Sequence, residues 1–347
     1  MSRNSQLRKL CGLCDFSRKK HIVPPDRVFS NFLTILAQEQ AEVDAMFEKQ
    51  VEELCNTLPE YGENAAGDGK YLDSYAKRAN KNPNPQAGKR AEEDAAWSIK
   101  ENHYIDKNGK KQIKKEHHFG FKAHIICDAK TELPIAYNVL AANSDEKKAM
   151  MGLLDSLPEI MKDRMKHLML DRGYDSTDMI KAVKNADIIP IIDIRNCWKD
   201  GETTKQYKDT DVVYDYQGNV FFVDEKQNLR RMHYDGYDCQ KKCLRYSFNG
   251  KTYKIYISYD ERVFLPVARD SKKFARLYKC RTTVERLNGR LDRDYMFEDH
   301  YIRGLKKMKL MVSLSLITMN AMALGKIRSG RTKHLAALTR LDLPRAA

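Results

Sequence analysis

Apolar side chains recur every three or four residues along the first 60 positions, which is the spacing of amphipathic helices. A Pro-Pro pair at residues 24–25 interrupts the chain, and Asp26 can cap a helix that runs to about Ala37. A second apolar stripe extends over residues 43–58. The pattern therefore predicts a packed helical N-terminal region over residues 1–60.

Short apolar runs alternate with helical stripes between residues 69 and 194. Two of these runs flank a polar turn at residues 128–132, which indicates a β-hairpin. The predicted strands are 69–75, 120–127, 133–140, 167–170 and 188–194, and the predicted helices are 143–157 and 177–186. A mixed β-sheet with helices on its faces is the natural α/β architecture for this order.

A polar, basic stretch over residues 78–118 separates the first two predicted strands. Asn-Pro-Asn-Pro at residues 82–85 prevents regular structure locally. A loop of this length in a compact domain is usually functional or disordered. Because Trp97 is unusual in a linker, we expect this loop to fold against another part of the molecule.

Residues 196–261 are polar and alternate Val, Phe and Tyr with charged side chains. Gln217-Gly218 and Asn249-Gly250 are hairpin turn sequences, and each lies between two strand-like runs. The pattern predicts an antiparallel β-rich insertion in a main domain that comprises residues 61–195 and 262–325. Most of the tyrosines here are expected to pack within the strands.

The most apolar segment of the chain is Met308–Leu324. Ser313, Ser315 and Asn320 interrupt it and lysines precede it, so we predict a buried core helix and no membrane span. Residues 326–347 form a basic tail. The N-terminus has no signal-peptide pattern, and a cytoplasmic location is expected.

The charge balance of the chain indicates a class of partner. The chain has 62 Lys and Arg against 48 Asp and Glu, which gives a formal net charge of +14. This excess favours a polyanionic partner, nucleic acid first.

Eight cysteines are expected to be thiols in a reducing compartment. Cys11-Gly-Leu-Cys14 has the spacing of half a zinc site, but no second pair of that kind follows. A weaker zinc candidate is the set Cys197, His233, Cys239 and Cys243.

Candidate chemistry begins with Tyr278, Arg281 and Glu285. At about 100° per residue on one α-helix, these three side chains lie within a sector of roughly 60°. A carboxylate beside a guanidinium and a phenol suits a site that holds a metal ion and grips a phosphate backbone. The alternative is a surface helix with an ordinary Arg281–Glu285 ion pair.

Two further acidic residues are candidates for the same site. Asp171 ends a short apolar strand, and carboxyl ends of strands are where chemistry is usually placed in α/β sheets. Its alternative role is only to cap a turn. Asp73, in the Gly69–Tyr75 segment, is the preferred third residue, and Asp128 is the fallback if Asp73 lies far from Asp171.

Three carboxylates from separate parts of a basic chain fit two-metal phosphoryl transfer. Mg²⁺ or Mn²⁺ prefers oxygen ligands, so Asp73, Asp171 and Glu285 are predicted to bind two such ions and to be the catalytic residues. Arg281 could then hold a phosphate oxygen, and Tyr278 could bond the DNA backbone or stack on a base.

These residues resemble the DDE transposases of bacterial insertion sequences, the IS4-like group. The resemblance rests on Asp73, on Asp171 followed by Arg-Gly-Tyr, and on the spacing Tyr278-x2-Arg281-x3-Glu285. The group's Tyr-Arg-Glu-Lys signature places a lysine where this chain has Asp292, with Arg293 beside it.

The resemblance implies an RNase H-like core interrupted by a β-rich insertion, and Mg²⁺-dependent cleavage and transfer of DNA strands. The implied partners are the terminal inverted repeats of an insertion sequence, a target DNA and, because two ends must be joined, a second copy of the chain. It also implies a nucleoid-associated protein whose N-terminal region contacts DNA or is shortened.

Two alternatives to a transposase stay open. Asp292 suggests a DNA-binding relic that has lost catalysis, and an RNase H-like nuclease would cleave without strand transfer. Trp198, where the insertion begins, and Arg293 complete the predicted DNA-binding residues with Tyr278 and Arg281. Simple packing is the alternative role for Trp198.

Overall fold

A computed structural model describes residues 14–15, 20–21, 24–75, 92–107 and 109–338. The helices are α1 (Asp26–Leu36), α2 (Gln40–Thr57), α3 (Glu146–Asp155), α4 (Glu159–Arg164), α5 (Thr177–Asn185), α6 (Lys272–Lys279), α7 (Thr282–Tyr295) and α8 (Leu305–Arg328). Residues 76–91, Cys11 and the end of the predicted basic tail lie outside the described residues.

The strands of the described residues belong to four sheets. Those of the small N-terminal pair and the main sheet are β1 (Cys14–Asp15), β2 (Lys20–His21), β3 (Asn64–Asp73), β4 (Ala96–Ile105), β5 (Lys111–Asp128), β6 (Pro134–Ala141), β7 (His167–Leu170) and β8 (Ile189–Ile192). Those of the other two sheets are β9 (Thr204–Gln206), β10 (Val212–Asp215), β11 (Val220–Val223), β12 (Leu229–Arg231), β13 (His233–Asp238), β14 (Cys243–Phe248) and β15 (Lys251–Tyr256).

The main sheet is mixed, as the sequence predicts. Its order is β4-β5-β3-β7-β8, and β6 pairs with the second half of β5. The pairs β3–β5, β4–β5 and β5–β6 are antiparallel, whereas β7 runs parallel to β3 and to β8. The parallel half places the carboxyl ends of three strands at one edge of the sheet.

Helices cover both faces of this sheet. Helices α3 and α5 pack on one face, and α6, α7 and α8 pack on the other, with α2 against α8. The apolar stripe of α2 is buried at Val43, Phe47, Val51 and Leu54. One continuous cluster of buried side chains joins these helices to the sheet.

Helix α8 is the central helix of this core. It is long and apolar enough to cross a membrane by length and composition, and half of its most apolar window is buried inside the protein. Ser313, Ser315 and Asn320 are buried, and each makes a hydrogen bond, as polar groups in a protein core must. The packing favours the predicted core helix.

The β-rich segment after β8 folds into two antiparallel sheets, β12-β11-β10-β9 and β13-β14-β15. The hairpins β10–β11 and β14–β15 confirm both predicted turns. A second cluster of buried side chains, from Ile194 to Ala268, holds the segment together. Asp175 anchors it to the main domain, because its carboxylate accepts hydrogen bonds from Arg262 Nη2 at 2.6 Å and from the Arg195 amide at 2.8 Å.

The prediction of a loop over residues 78–118 is wrong for its second half. β4 and the first half of β5 form a long antiparallel hairpin from Ala96 to Phe119. Trp97 lies on that hairpin and packs on Phe119, with the ring centroids 5.3 Å apart. Neither face of the hairpin's outer part is buried, so the strands lack the apolar alternation by which a sequence reveals them.

Candidate active site

Two aspartates lie side by side at the carboxyl edge of the parallel strands. Gly67 on β3 and Leu170 on β7 are paired, so Asp68 and Asp171 follow at the next position of two neighbouring strands. Adjacent strands are about 4.8 Å apart. Asp171 was expected at this edge, but Asp68 was not recognised in the sequence.

Glycines on both sides of Asp68 allow close packing behind it. A Cβ at Gly67 would lie 2.8 Å from Leu170 Cδ2, and a Cβ at Gly69 would lie 3.1 Å from Lys122 Cδ. Gly67 and Gly69 face α3, so the side chain of Asp68, between them on the strand, points to the face covered by α6 and α7. The Gly-Asp-Gly sequence is the signal that could have identified this residue.

Asp68 has an unusual protonation equilibrium. Burial raises the pKa of Asp68 to about 6, and the nearby charges of Asp171 and Glu146 act in the same direction. The Gly69 amide, which donates to Asp68 Oδ1 at 2.8 Å, and the Arg281 cation oppose this rise. Asp68 is therefore a carboxylate that a nearby cation would stabilise in its charged form.

Asp171 caps a short turn as well as lying at the strand end. Its Oδ1 accepts a hydrogen bond from the Gly173 amide at 2.5 Å, and the chain then makes a 3-10 turn over Arg172–Tyr174. The Tyr174 hydroxyl is buried without a hydrogen-bond partner among the described residues. Burial, and then the nearby charges of Asp68, Glu146 and Asp171, raise the pKa of Tyr174.

A third aspartate, Asp193, continues this line across the sheet. Asp68, Asp171 and Asp193 together are called the acidic row. Leu170 on β7 pairs with Ile192 on β8, so Asp193 follows at the position next to Asp171. Asp193 Oδ2 accepts a hydrogen bond from Arg172 Nε at 2.8 Å. Asp193 was not expected here, because the sequence predicts a longer strand, 188–194, in which this position is an interior residue.

Tyr278, Arg281 and Glu285 approach this row from the face above it, but they do not lie on one helix. Helix α6 ends at Lys279 and α7 begins at Thr282, and tight turns join the two around Cys280 and Arg281. The expectation of one continuous helix is therefore wrong, although the backbone at Cys280 and Arg281 keeps helical dihedral angles.

Arg281 pairs with Glu285, and its guanidinium is influenced by the charge of Asp171. Its Nη1 donates to Glu285 Oε1 at 2.7 Å, and the Glu285 side chain is half exposed. Burial acts to lower the pKa of Arg281, but the hydrogen bond and charge of Glu285, with Tyr278 and Asp171, raise it overall. The i, i+4 ion pair is thus present, and it lies beside Asp171 and not on an isolated surface helix.

Tyr278 closes the other side of the site. Its ring stacks on Phe274, with centroids 5.6 Å apart, and the Arg281 guanidinium lies 5.9 Å from the ring centre. Burial, and then the charge of Asp193, raise the pKa of Tyr278. The phenol therefore lies near the Asp171–Asp193 end of the row.

Comparison with known proteins identifies the family. The family model described as the transposase DDE domain matches residues 83–321, which is more than half of the chain. The chain belongs to the transposase DDE domain family. No curated protein matches the sequence.

One solved structure similar to this DDE domain protein is a cryo-EM structure of the piggyBac transposase synaptic complex with hairpin DNA. The TM-score is 0.34 and the sequence identity is 10%. The match covers 78% of this chain and 49% of that one, so the chain spans about half the length of the protein it matches.

The DDE domain does not bring Asp73 to Asp171. Asp73 is five residues beyond Asp68 on β3, about 17 Å along the strand, and it pairs with Gly120 of β5. Its side chain is 64% exposed, and its Oδ1 lies 3.0 Å from His118 Nδ1. The expected convergence of Asp73 with Asp171 is wrong because the strand continues well past the acidic row.

The fallback residue Asp128 is not at the site either. Asp128 is buried at the opposite end of β5, where it pairs with Ala65. Its carboxylate accepts hydrogen bonds from the amides of Gly62 at 2.9 Å and Thr131 at 2.6 Å. Asp128 therefore stabilises the β5–β6 turn.

Beyond Glu285, α7 presents Asp292 and Arg293. Asp292 accepts a hydrogen bond at 2.6 Å from Lys70 Nζ, on the same face of β3 as Asp68. Arg293 is exposed and pairs with Asp294, its neighbour in sequence, at 2.7 Å. The positive charge beside Asp292 is therefore that of Lys70 on β3 and not that of a residue on α7.

Trp198 packs within the β-rich insertion. Its ring lies 6.0 Å from that of Tyr214, and Lys205 Nζ lies 4.7 Å above its centroid. The packing role that was the alternative is present, while the predicted contact with a DNA base stays a prediction.

The donors at the acidic row suit a hard divalent ion. Asp68 and Asp171 offer carboxylate oxygens at one register, and burial raises the pKa of Asp68, so a bound cation would stabilise its charged form. Within the described part of the chain, no set of three or more His, Cys, Asp or Glu side chains is gathered closely enough to hold a metal ion. Among the described residues, Cys197, His233, Cys239 and Cys243 likewise do not form a zinc site.

Proposed function

We propose that this protein is an active DDE transposase whose catalytic carboxylates are Asp68, Asp171 and Glu285. The observation that carries the proposal is the placement of Asp68 beside Asp171 under the Arg281–Glu285 pair, in a chain of the transposase DDE family. Asp68 takes the role that the sequence suggested for Asp73.

We infer that the main sheet is an RNase H-like core. Three antiparallel strands followed by two parallel strand–helix units support this inference, as does the β-rich insertion between Asp171 and Glu285. We propose the boundaries 61–195 and 262–325 for this core, 196–261 for the insertion, and separate terminal regions at 1–60 and 326–347.

The carboxylates of Asp68, Asp171 and Glu285 would hold divalent ions, Mg²⁺ or Mn²⁺, and two ions fit the proposed chemistry best. Bound there, the ions would supply charge stabilisation for the attacking and leaving oxygens of a phosphodiester. The chain's own contribution is to orient the DNA: Arg281 would donate to a phosphate oxygen and Tyr278 would contact the backbone. Trp198 and Arg293 are proposed as further DNA contacts.

We further propose that the protein is IS4-like and acts in the bacterial cytoplasm, at the nucleoid. It would cleave the terminal inverted repeats of an insertion sequence and join them to target DNA as a homodimer. The support is the pattern Asp171-Arg-Gly-Tyr with Tyr278, Arg281 and Glu285. Sequencing the DNA on both sides of the gene tests this: absence of inverted repeats would contradict it.

The decisive experiment compares two aspartates on one strand. Asp68→Asn should abolish Mg²⁺-dependent nicking of terminal-repeat DNA, whereas Asp73→Asn should retain most of it. Each variant removes one negative charge from β3. Loss of nicking in Asp73→Asn, with nicking retained in Asp68→Asn, would reject the assignment.

Metal binding can be tested without activity. Fe²⁺ in place of Mg²⁺, with ascorbate and peroxide, should cut the backbone near Gly67–Gly69 and near Asp171, as read by mass spectrometry. Asp68→Asn should remove these cuts. Cuts that persist in the variant would place the ion elsewhere.

The second candidate function is a DNA-binding relic. The observation in its favour is that Glu285 is bonded to Arg281. A relic would bind terminal-repeat DNA equally with and without Mg²⁺ and would leave it uncut, whereas the active enzyme would cut it. Cutting without joining to a supplied target would instead indicate a nuclease.

A further inference from the structure

The hairpin of residues 96–119, called the ribbon below, projects from the main sheet. Ten residue pairs, from Ala96–Gly120 to Ile105–Lys111, join its strands, which makes it about 30 Å long. Within the described residues, β4 pairs with no strand other than β5. The ribbon's outer part is therefore two-stranded and open to solvent on both faces.

Hydrogen bonds of Asp106 join the two strands of the ribbon next to its tip. The Asp106 carboxylate accepts hydrogen bonds from the Lys110 amide at 2.9 Å and from Gln112 Nε2 at 3.1 Å. The backbone amide of Asp106 also donates to the Lys110 carbonyl at 2.9 Å. A pre-organised tip loses little conformational entropy when it binds a partner.

One face of the ribbon carries large apolar side chains in water. Trp97, Ile99, Ile105 and Ile113 are between 44% and 69% exposed. The first three alternate along β4, and Ile113 pairs with the odd-numbered position 103, so all four share one face. Apolar patches of this kind on a soluble protein mark contact surfaces.

The charge of the ribbon selects the kind of partner. Its 24 residues contain six lysines and three acidic residues, a net charge of +3, compared with +14 for all 347 residues. Lys107, Lys110 and Lys111 cluster at the tip. A second copy of the chain would bring the same positive ribbon, whereas a polyanion complements it.

The ribbon leaves the sheet at the edge that holds the acidic row. Asp68 pairs with Ile125 of β5, and Asp73 pairs with Gly120 at the root of the ribbon. Along the strand direction, the root is about 17 Å beyond Asp68 and the tip is about 46 Å beyond it. At about 3.4 Å per base pair, these distances correspond to roughly 5 to 14 base pairs of duplex.

We propose that the ribbon binds duplex DNA roughly 5 to 14 base pairs from the acidic row. Its lysines would contact phosphates, and its apolar face would lie against base edges, since a two-stranded ribbon fits the major groove. The proposal rests on the proposed function only in taking DNA as the substrate of the nearby site. Binding by the ribbon is measured separately from cleavage.

The first test is a charge reversal with a matched control. Lys110→Glu with Lys111→Glu should weaken binding to a 30-base-pair duplex at least tenfold, and should reduce the slope of log affinity on log salt by about 2. The control is Lys130→Glu with Lys166→Glu, the same change of charge on exposed lysines at the opposite edge of the sheet. An equal loss in both pairs would overturn the proposal, because binding would then follow net charge alone.

The second test observes the ribbon directly. Trp97 and Trp198 are the two tryptophans of the chain, so Trp198→Phe leaves Trp97 as the single indole reporter. In an Asp68→Asn background, added duplex should quench or shift the Trp97 emission along the same curve as anisotropy of the labelled DNA. Binding with unchanged Trp97 emission would overturn the proposal, even if the cleavage assignment were correct.

The third test addresses a protein partner. Ile105→Asp with Ile113→Asp should leave the sedimentation coefficient of the DNA-free protein unchanged and should weaken duplex binding at least threefold. If these substitutions instead dissociate a dimer and leave duplex affinity intact, the ribbon is an interface between copies, and the proposal is rejected.

Discussion

Lys70 Nζ lies 2.6 Å from the carboxylate of Asp292, and both side chains are largely buried between β3 and α7. A lysine was expected at position 292 from the resemblance in sequence, and this chain has an aspartate there. The cation at this point comes from the strand that carries Asp68. The pair therefore joins α7 to β3 through one positive and one negative side chain.

This pair gives the first prediction. Asp292→Lys should destabilise the protein by about 2 kcal/mol or more, because two lysines would then face each other in a partly buried position. Adding Lys70→Asp should restore part of the loss. Urea unfolding of both single variants and the double variant gives the coupling energy, and a coupling energy near zero would show that the contact contributes nothing.

Asp68 gives a prediction about pH. An aspartate in an unfolded chain titrates near pH 4, whereas burial raises the pKa of Asp68 to about 6 in the folded protein. The folded state therefore binds more protons between these values, and the contribution of Asp68 to stability is lost as pH rises through about 6. Without divalent ions at pH 7.5, Asp68→Asn should be more stable than the parent by on the order of 2 kcal/mol.

The gap between Asp68→Asn and the parent should close as pH falls below about 4. Thermal unfolding of the two proteins across this range measures it. Asp73→Asn is the control for the loss of one negative charge from the same strand. A gap that is constant with pH would show that Asp68 is not held in an unfavourable charged form.

Asp175 and Arg262 give a prediction about how the insertion is attached. The Asp175 carboxylate is fully buried and accepts from Arg262 Nη2 at 2.6 Å and Nε at 3.1 Å. Asp175→Ala should cost about 3–5 kcal/mol, because it leaves a partly buried guanidinium without its partner. Arg262→Met with Asp175→Leu should cost less than either single change.

Hydrogen exchange would locate the effect of losing Asp175. Amides of residues 194–268 should exchange faster in Asp175→Ala, while those of β3 and β5 change little. A uniform increase over the whole chain would mean that the pair supports global stability and not the attachment of the insertion.

The sequence predicted the elements whose apolar pattern is determined by burial. β6, β7 and β8 contain consecutive buried apolar residues, the helices between them bury one apolar face, and both patterns can be read in the sequence. The ribbon was missed because its strands bury neither face, and the break between α6 and α7 was missed because both segments continue one apolar stripe. The period of apolar residues in a sequence indicates which face is buried. It therefore reveals neither an exposed ribbon nor a break within one buried stripe.

The site was predicted in part for a related reason. Asp171 follows a recognisable apolar strand, and Arg281 and Glu285 share a helical spacing. The partner of Asp171 depends on the register between β3 and β7, which local sequence does not encode. Asp73 satisfied local alternation, but only the Gly67–Leu170 pairing selects Asp68.

Gly120 gives the last prediction, because the root of the ribbon passes very close to the end of β3. A Cβ at Gly120 would lie 2.3 Å from the Leu72 carbonyl oxygen and 2.5 Å from the Ser74 amide nitrogen, both of which are backbone atoms that cannot move aside cheaply. Gly120→Ala should therefore separate the ribbon from β3 and destabilise the protein by roughly 1–3 kcal/mol.

Gly109→Ala, at the ribbon tip, is the control for a new methyl group, since nothing lies within 4 Å of a Cβ there. Because Gly109 has a φ of +76°, its substitution carries a local backbone cost of its own, so the readout must be site-specific. Hydrogen exchange at residues 70–73 should rise in Gly120→Ala and stay at the parent rate in Gly109→Ala; equal protection in both would show that the strand end tolerates the added methyl group.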